Sequence, residues 1–360
     1  MKILHAAETI KGGVATVLKQ LVAAQQDDRE TYRIQCLIPA DQAGELDTAH
    51  EENVVKWERK GRSVGALISF ATAFCRAVIL FKPDVVHLHS SFAGVIGRAC
   101  LILLWPIVRP KVVYCPHAFS FLMQTSGGKK KIYALIEKAL LPMTDAIICV
   151  SQYEADQARA HGIKGDKLFV IHNGVPQRHI IRPDKTDDTR INMLFVGRFD
   201  YQKGYDILLD AMKRNQNPNI HLTLIGDSVH SAEHIEKLPQ AEYTGWLKAS
   251  QMEPYFIAAD VLVIPSRWEG FAMVPLEAMS YSLPIIASDA TSLPEVVINN
   301  ETGYLFKNGD ADSLLSVFNR LEKSDLSKMG KKGNQLYTEN FTSQAMITKT
   351  HSLYADIMKR

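Results

Sequence analysis

Short β-branched runs alternate with longer amphipathic stretches along this sequence, and this alternation constrains the fold more than any other feature. Parallel strands need crossover helices between them, so the pattern predicts an α/β fold with parallel sheets. The strands predicted for the first half are 2–6, 32–38, 85–89, 112–115, 146–150 and 169–171, and the helices are 14–25, 64–81, 93–105 and 130–140.

The alternation restarts after the polar segment 177–190, which contains Pro183 and is the best candidate for a linker. A chain of 360 residues suits two domains. The second half is predicted to have strands at 192–196, 221–225, 243–244, 261–265, 285–287 and 303–306, and helices at 204–213, 249–258, 275–281 and 312–322. We therefore expect a first domain at 1–176, a linker at 177–190, a second domain at 191–342 and a C-terminal helix at 343–360 that packs toward the first domain.

Composition indicates an intracellular globular protein. Hydrophobic residues make up 46% of the chain, and the net charge of +2 gives no argument for nucleic-acid binding. The five cysteines are scattered without a C-x-x-C pair, which favours free thiols in a reducing compartment. The start of the chain has no signal-peptide pattern. The apolar stretches 64–81 and 99–108 are interpreted as core helices, so we expect a cytoplasmic protein.

Two carboxylates bracket an apolar turn in the segment 269–277, which reads Glu-Gly-Phe-Ala-Met-Val-Pro-Leu-Glu. Proline favours the first helical position, so Pro275 predicts that Glu277 lies in the first turn of a helix and Glu269 on the loop before it. The free N–H groups and the helix dipole there suit an anion. The preceding strand, 261–265, would carry the segment to the carboxyl edge of a sheet, where α/β proteins bind ligands. The segment therefore predicts a site for a polyhydroxylated, anionic ligand.

Further turns with glycine follow other predicted strands. Gly12 and Gly13 follow the first strand, where close approach to an anion and a purely structural turn are both open interpretations. Arg198 and Lys203 flank a helix start in the second half. Arginine offers a bidentate fork to phosphate oxygens and lysine a point charge, whereas a solvated basic turn is the alternative. Because the G-x-G-x-x-G fingerprint is missing, a dinucleotide fold has little support.

Three histidines lie on or just after strands. His117 follows Pro116, which should project the ring toward a cleft, although a lone histidine there is commonly structural. His87 and His89 alternate on one strand and so share a face. A metal site needs a third ligand, and none is evident nearby in the sequence. We therefore interpret His87 and His89 as hydrogen-bonded residues and expect no metal.

Two charged patterns have competing explanations. Asp310 and Asp312 have the D-x-D spacing of some metal-dependent sugar transferases, but they precede a helix, so helix capping explains them better. The basic run of Lys129, Lys130 and Lys131 precedes an amphipathic stretch. Such a stretch can rest on an anionic membrane face, or it can simply be the basic end of a surface helix.

With these residues in place, the chain resembles the retaining glycosyltransferases of family four, which have the GT-B fold and include bacterial cell-surface polysaccharide transferases. The segment 269–277 matches their E-x7-E motif, and the resemblance covers nearly the whole chain. It implies two Rossmann-like α/β domains that face a central cleft and close around the donor. The motifs that follow in the right order are Gly12-Gly13, His117, Asn173-Gly174-Val175, Gly197-Arg198 with Lys203-Gly204, Gly226-Asp227 and Pro294-Glu295.

The resemblance implies a role for each site residue. Arg198 and Lys203 would bind the donor diphosphate, and Glu277 would accept hydrogen bonds from the ribose hydroxyls. Glu269 and the backbone amides of residues 271–274 would hold the donor sugar. From the first domain, His117 would reach the sugar near the reacting carbon, and Gly13 would let its loop approach the diphosphate and the acceptor. The implied catalytic residues are His117, Glu269, Arg198 and Lys203, and the implied donor-binding residues are Gly13, Arg198, Lys203, Glu269, Phe271, Ala272, Met273, Val274 and Glu277.

The chain departs from the family pattern at three positions. Ala272 replaces the usual glycine after the aromatic residue, and Ser282 stands where A-x-G-x-P has glycine. The segment 290–295 lacks the common Gly-Gly before Pro294 and Glu295. None of these changes removes a charged site residue.

The expected reaction is transfer of a hexose-type sugar, with its anomeric configuration retained, from a nucleoside diphosphate sugar to a glycan or polyprenyl-linked acceptor in cell-surface polysaccharide synthesis. Uridine is the expected base, and no metal or other cofactor is expected because Arg198 and Lys203 would offset the charge of the leaving diphosphate. Peripheral contact with the cytoplasmic face of the inner membrane is an open expectation. The alternatives are a sugar-nucleotide epimerase, a phosphorylase or a non-catalytic sugar-nucleotide-binding subunit of an assembly complex.

Overall fold

The computed structural model describes residues 1–59, 61, 63–123, 126–178, 189–228 and 236–360. They form two compact units. Unit 1 comprises Met1–Asn173 and Ser343–Arg360, and unit 2 comprises Gly174–Thr342. The C-terminal helix therefore belongs to unit 1. Most of the predicted linker 177–190, including Pro183, lies outside the described residues.

The boundary between the units differs slightly from the one expected from the sequence. Residues 174–176 belong to unit 2 and not to the first domain. Val175 N donates a hydrogen bond to Phe341 O at 3.0 Å, and Tyr337 Oη donates to Val175 O at 3.0 Å. These two hydrogen bonds tie the segment to unit 2 before the chain reaches the linker.

Unit 1 is built on a seven-stranded sheet in which all strand pairs are parallel. Its strands are β1 Lys2–Ala7, β2 Arg33–Pro39, β3 Val54–Trp57, β4 Val85–His89, β5 Lys111–Cys115, β6 Ala146–Cys149 and β7 Leu168–Val170. Its helices are α1 Gly13–Asp27, α2 Val64–Phe81, α3 Ser91–Leu104, α4 Gly127–Leu140, α5 Gln152–Ala160 and, at the end of the chain, α11 Ser343–Lys359. The strand order β3-β2-β1-β4-β5-β6-β7 places β1 beside β4, as in a doubly wound fold.

Unit 2 repeats this architecture with a six-stranded parallel sheet. Its strands are β8 Ile191–Val196, β9 Ile220–Ile225, β10 Glu242–Gly245, β11 Val261–Ile264, β12 Ile285–Ser288 and β13 Gly303–Phe306. Its helices are α6 Tyr205–Arg214, α7 Ala249–Ala258, α8 Met273–Ser280, α9 Ala311–Phe318 and α10 Lys323–Asn340. The order β10-β9-β8-β11-β12-β13 reverses between β8 and β11, and a doubly wound sheet binds its ligand at such a switch point. The α/β prediction with two Rossmann-like domains is confirmed.

The sequence interpretation missed β3, α5 and α10. Helices α5 and α10 are largely polar, so they lack the apolar spacing that reveals a helix; α5 begins instead at a cap in which Glu154 N donates to Ser151 Oγ at 3.0 Å. The prediction that a helix runs over 312–322 is wrong at its C-terminal end, because α9 ends at Phe318.

Helix α2 is both a core helix and an exposed apolar surface. Phe70 and Phe74 on one side are fully buried, as expected for a core helix. On the other side Val64, Ile68 and Leu80 are exposed. By length and composition α2 is the one helix among the described residues that could cross a membrane, which is weak evidence when a helix also packs in a core.

Candidate active site

Two adjacent strands of unit 2, β8 and β11, deliver the site loops to one edge of the sheet. The loop after β8 runs through Arg198 and Lys203 into α6, and the loop after β11 runs through Ser266 and Glu269 into α8. Gly204 has a φ of +66°, and a Cβ on it would collide with the carbonyl oxygen of Pro265. Glycine is therefore required for the two loops to approach each other so closely.

Lys203 and Glu269 form an ion pair across these loops. Lys203 Nζ lies 2.6 Å from Glu269 Oε1, and Ser266 Oγ donates to the same oxygen at 2.7 Å. The Glu269 side chain is 7% exposed and that of Lys203 is 22% exposed. Within the described part of the chain, Glu269 Oε2 has no hydrogen-bond partner, so it is the oxygen that a ligand can use.

The backbone of Glu269 is held by a residue with an unusual conformation. Glu269 N donates to Thr291 Oγ1 at 2.9 Å. Thr291 has a φ of 49°, which is rare for a β-branched residue and costs about 1–3 kcal/mol. Thr291 lies in the segment 290–295, where the family pattern has glycines. Its hydroxyl accepts the hydrogen bond from Glu269 N, and a glycine has no side chain that could do so.

Arg198 is also paired with neighbouring side chains. Its Nη2 donates to Gln202 Oε1 at 2.7 Å, and its Nε lies 3.1 Å from Asp200 Oδ2. The other oxygen of Asp200 accepts from Lys203 N at 2.8 Å. The Arg198 side chain is nevertheless 41% exposed, so its guanidinium remains accessible to an anion. Each cation at this edge thus shares its charge with a carboxylate.

A cavity of about 10 Å³ lies between the two loops. Its lining includes Lys203, Ser266, Glu269, Ala272 and Val274. Of the segment expected to hold a sugar, Ala272 and Val274 thus line the same cavity as the ion pair. Met273 starts α8, whereas the Phe271 ring is buried and packs against Phe341, with ring centroids 5.7 Å apart.

The prediction that Glu277 lies in the first turn of a helix is wrong. Helix α8 begins at Met273, so Pro275 is its third residue and Glu277 lies in the second turn. Proline is tolerated there because the first N–H groups of a helix lack intrahelical partners. Burial raises the pKa of Glu277, and the charge of Arg178 opposes this effect.

The two predicted site residues of unit 1 both follow strands. Gly13 is the first residue of α1. His117 and Ala118 have φ values of 53° and 108°, a strained backbone that the Glu154 carboxylate holds by accepting from Ala118 N and Phe119 N, each at 3.1 Å. Burial lowers the pKa of His117 to about 4, so its ring is neutral near neutral pH.

The expectation that His87 and His89 lack a third potential metal ligand is wrong. His5 on β1 is in register with His87 on β4, and ligand nitrogens of His5, His87 and His89 all lie within 4.8 Å of one another. All three rings are buried.

The helix-cap prediction for Asp310 is confirmed, because Ser313 N donates to Asp310 Oδ1 at 3.0 Å.

Sequence reasoning missed several residues that shape the sites. Ser266 could have been found, because it lies two residues after a buried strand that points to the site edge. Asp200, Gln202, Thr291 and Glu154 carry no such signal, because their partners come from loop geometry alone.

Comparison with known proteins decides the family. Residues 11–178 match the Glycosyltransferase Family 4 domain, and residues 177–336 match the domain of glycosyl transferases group 1. The chain is a family-four glycosyltransferase. This glycosyltransferase is 40% identical over 327 residues to an uncharacterised 41.2 kDa protein in the cps region of Klebsiella pneumoniae, covering 88% of the chain and 89% of that protein.

Other relatives are more distant. The glycosyltransferase is 26% identical over 302 residues to an Escherichia coli enzyme named UDP-Gal:alpha-D-GlcNAc-diphosphoundecaprenol alpha-1,3-galactosyltransferase, covering 77% of the chain and 76% of that enzyme. A solved structure of Anabaena HepE in complex with UDP superposes with a TM-score of 0.82 at 19% identity, covering 99% of this chain and 100% of that one. This likeness supports the GT-B fold.

Proposed function

We propose that this glycosyltransferase moves a sugar from a UDP-sugar to a glycan or polyprenyl-linked acceptor in cell-surface polysaccharide synthesis, with retention of the anomeric configuration. The observation that carries the proposal is the Lys203–Glu269 pair at the edge where β8 and β11 adjoin, with the exposed Arg198 on the same edge. The UDP bound in the HepE structure and the diphosphoundecaprenol in the name of the Escherichia coli relative support this choice of donor and acceptor. Neither an epimerase nor a non-catalytic subunit is favoured.

Phosphate binding and sugar binding would be coupled through the ion pair. A diphosphate that takes a hydrogen bond from Lys203 withdraws this cation from Glu269. Ser266 is then the one remaining donor to the Glu269 carboxylate among the described residues. A hydrogen bond donated by a sugar hydroxyl would therefore stabilise the carboxylate charge. Glu269 would therefore position the sugar and not attack it. The acceptor hydroxyl would attack the anomeric carbon from the face that the diphosphate leaves, its proton would pass to the leaving diphosphate, and the configuration would be retained.

The remaining roles follow from the resemblance. Glu277 would accept from the ribose hydroxyls, and the backbone amides at the start of α8, from 271 to 274, would bind the sugar. In unit 1, His117 would contact the sugar and Gly13 would allow its loop to approach the diphosphate. Arg198 and Lys203 supply the positive charge that the leaving diphosphate needs, so the proposed reaction requires no metal.

The proposal is tested by the release of nucleoside diphosphate. Removing one preorganised donor of this kind costs about 10²–10³ in rate, so Arg198→Ala should fall by that factor. Arg214→Ala is the matched control, because Arg214 is an exposed arginine of α6 paired with Asp210. Near-wild-type turnover of Arg198→Ala or Glu269→Ala would refute the assignment, and an inverted anomer in the NMR spectrum of the product would refute retention.

We also propose that unit 1 contacts an anionic membrane surface. Helix α2 packs against α3, and α3 packs against α4. These helices and the turns after α3 and before α4 carry many of the exposed large apolar residues of the described chain, beside Lys129 and Lys131. Apolar side chains next to lysines match the acyl boundary and the charged head groups of an anionic bilayer. The apolar residues are Val64, Leu67, Ile68, Ile79, Leu80, Ile102, Leu103, Trp105, Ile107, Met123, Ile132 and Leu135.

Vesicle sedimentation tests this contact. The protein should bind phosphatidylglycerol vesicles more than phosphatidylcholine vesicles, and Leu135→Gln should weaken that binding. Ile298→Gln, at an exposed apolar residue of unit 2, is the control. Equal binding to both kinds of vesicle, or none, would contradict the proposal.

A further inference from the structure

Polar side chains of unit 1 form a continuous hydrogen-bonded chain from the half-buried His117 to the buried Gln25. His117 Nε2 lies 3.2 Å from His89 Nδ1, and His89 Nε2 lies 3.1 Å from His5 Nδ1. The chain ends where His5 Nε2 lies 2.8 Å from Gln25 Oε1. His5, His89 and Gln25 have no exposed surface. Strands β1 and β4 and helix α1 thus join one site residue to the interior of the unit.

The end of this chain determines which atom donates in every bond. An amide oxygen can only accept, so His5 donates from Nε2 to Gln25. Burial lowers the pKa of His5 to about 4 and that of His89 well below its usual range, so each ring is neutral, with one N–H and one lone pair. His5 Nδ1 must then accept from His89 Nε2, and His89 Nδ1 must accept from His117 Nε2.

Helix α11 holds the amide that sets this direction. Gln25 Nε2 lies 3.4 Å from His351 Nε2, and the Gln25 side chain also hydrogen-bonds Tyr354. The NH₂ group therefore faces α11, and the carbonyl oxygen faces His5. Tyr354 is itself buried, and its Oη lies 2.6 Å from His87 Nδ1.

A metal ion among His5, His87 and His89 is the competing interpretation of the same cluster. A divalent ion there would be enclosed by neutral rings, and no carboxylate of the described residues belongs to the cluster. Burying such a charge without an anion is costly. In addition, His5 Nδ1 and His89 Nε2 already bond to each other. The geometry therefore favours a proton-ordered chain over a metal site.

We propose that this chain holds His117 as its Nε2–H tautomer and so makes the Nδ1 lone pair the atom that the ring offers to the donor sugar. Within the described residues, Nδ1 of His117 has no hydrogen-bond partner. A sugar hydroxyl would donate to Nδ1, and no proton would be transferred. His5, His89 and Gln25 are then positioning residues that act through His117. Only the identity of the ligand at Nδ1, a donor sugar, rests on the proposed function. The tautomer itself follows from the hydrogen-bonded chain.

The tautomer can be measured without any substrate. In protein labelled with ¹⁵N-histidine, a long-range ¹H–¹⁵N spectrum distinguishes a protonated Nε2 from a protonated Nδ1, and the signal missing from His117→Gln identifies His117. We expect the Nε2–H form in the wild type. Gln25→Met should give a mixture of tautomers. Gln26→Met is the matched control, because Gln26 bonds the 48–53 segment and not the histidines.

The spectra and the activity separate this proposal from the proposed function. A protonated Nδ1 in wild-type His117, or an unchanged tautomer in Gln25→Met, overturns the chain. If Gln25→Met does not fold, the wild-type spectrum decides. Loss of one hydrogen bond to the sugar should lower kcat/KM of Gln25→Met about 3- to 10-fold, with Gln26→Met near wild type. A shifted tautomer with unchanged kcat/KM would overturn the role of Nδ1. A wild type with the expected tautomer but no transferase activity would contradict the proposed function and leave the chain intact.

Discussion

The ion pair between Lys203 and Glu269 should contribute strongly to the stability of unit 2. The two charged atoms are 2.6 Å apart, and the Glu269 side chain is only 7% exposed. Lys203→Met leaves that carboxylate with Ser266 Oγ as its donor. Removing one partner of a buried pair costs about 3–5 kcal/mol, and the 22% exposure of Lys203 places this case at the lower end. We expect the free energy of unfolding to fall by about 3 kcal/mol.

A double-mutant cycle isolates the pair. Glu269→Gln removes the buried charge, so Lys203→Met should then cost only about 1 kcal/mol, which gives a coupling energy of about 2 kcal/mol. Lys213 and Glu236 provide a matched control within unit 2, because they are also 2.6 Å apart but are 44% and 63% exposed. Their coupling energy should not exceed about 1 kcal/mol.

Urea unfolding followed by tryptophan fluorescence measures both cycles, and Trp268 next to Glu269 is a reporter in unit 2. Equal coupling energies in the two cycles would refute the reasoning, because the pairs share residue types and distance and differ in burial. A Lys203→Met protein as stable as the wild type would do the same.

Three further predictions concern strain, pH and loop geometry. Ser282 has a φ of 55°, so Ser282→Gly should raise the unfolding free energy, measured in urea, by up to about 1 kcal/mol; a loss would contradict the strain. The pKa of His5 is lowered to about 4, so its contribution to stability is fully present above pH 6.5 and is lost as the pH falls toward 4. Between pH 7 and pH 5 this loss is about 2 kcal/mol, and urea titrations of His5→Gln should show a pH dependence smaller by that amount, whereas Val86→Ala should keep the wild-type dependence. Thr291→Val keeps the shape but loses the hydroxyl that holds Glu269 N, so kcat/KM should fall about 3- to 10-fold while Thr291→Ser stays near wild type; equal activity would exclude this role.

The fold could be predicted because each element of the alternation carries its own local signal. Of the strands that matter for the sites, β11 is a continuous apolar run and β8 is apolar except for Asn192, which is typical of strands buried on both faces. Helices α5 and α10 have no comparable apolar pattern. Helix α5 begins at the Ser151 cap, whereas α10 has no side-chain cap and packs against α8, so its stability depends on the assembled unit.

The candidate site could be predicted only in part. Arg198, Lys203 and Glu269 were found because they follow strand ends, and the carboxyl ends of parallel strands share one edge. The sequence interpretation treated both cations as available to a phosphate. Their pairing with Asp200 and Glu269 depends on where two loops place long side chains, and no local pattern encodes that. The pairing means that a diphosphate must compete with carboxylates for the same cations.

His5 shows which additional step of reasoning would have improved the prediction. It lies 82 positions before His87 in the sequence, so no spacing rule connects the two residues. Strand order does connect them, because a doubly wound sheet places its first strand beside its fourth, and in this register His5 is directly opposite His87. The resemblance to a fold already implied that order. Applying it to the polar residues of β1 and β4 would have placed three imidazoles together, and with them the hydrogen-bonded chain that leads to His117.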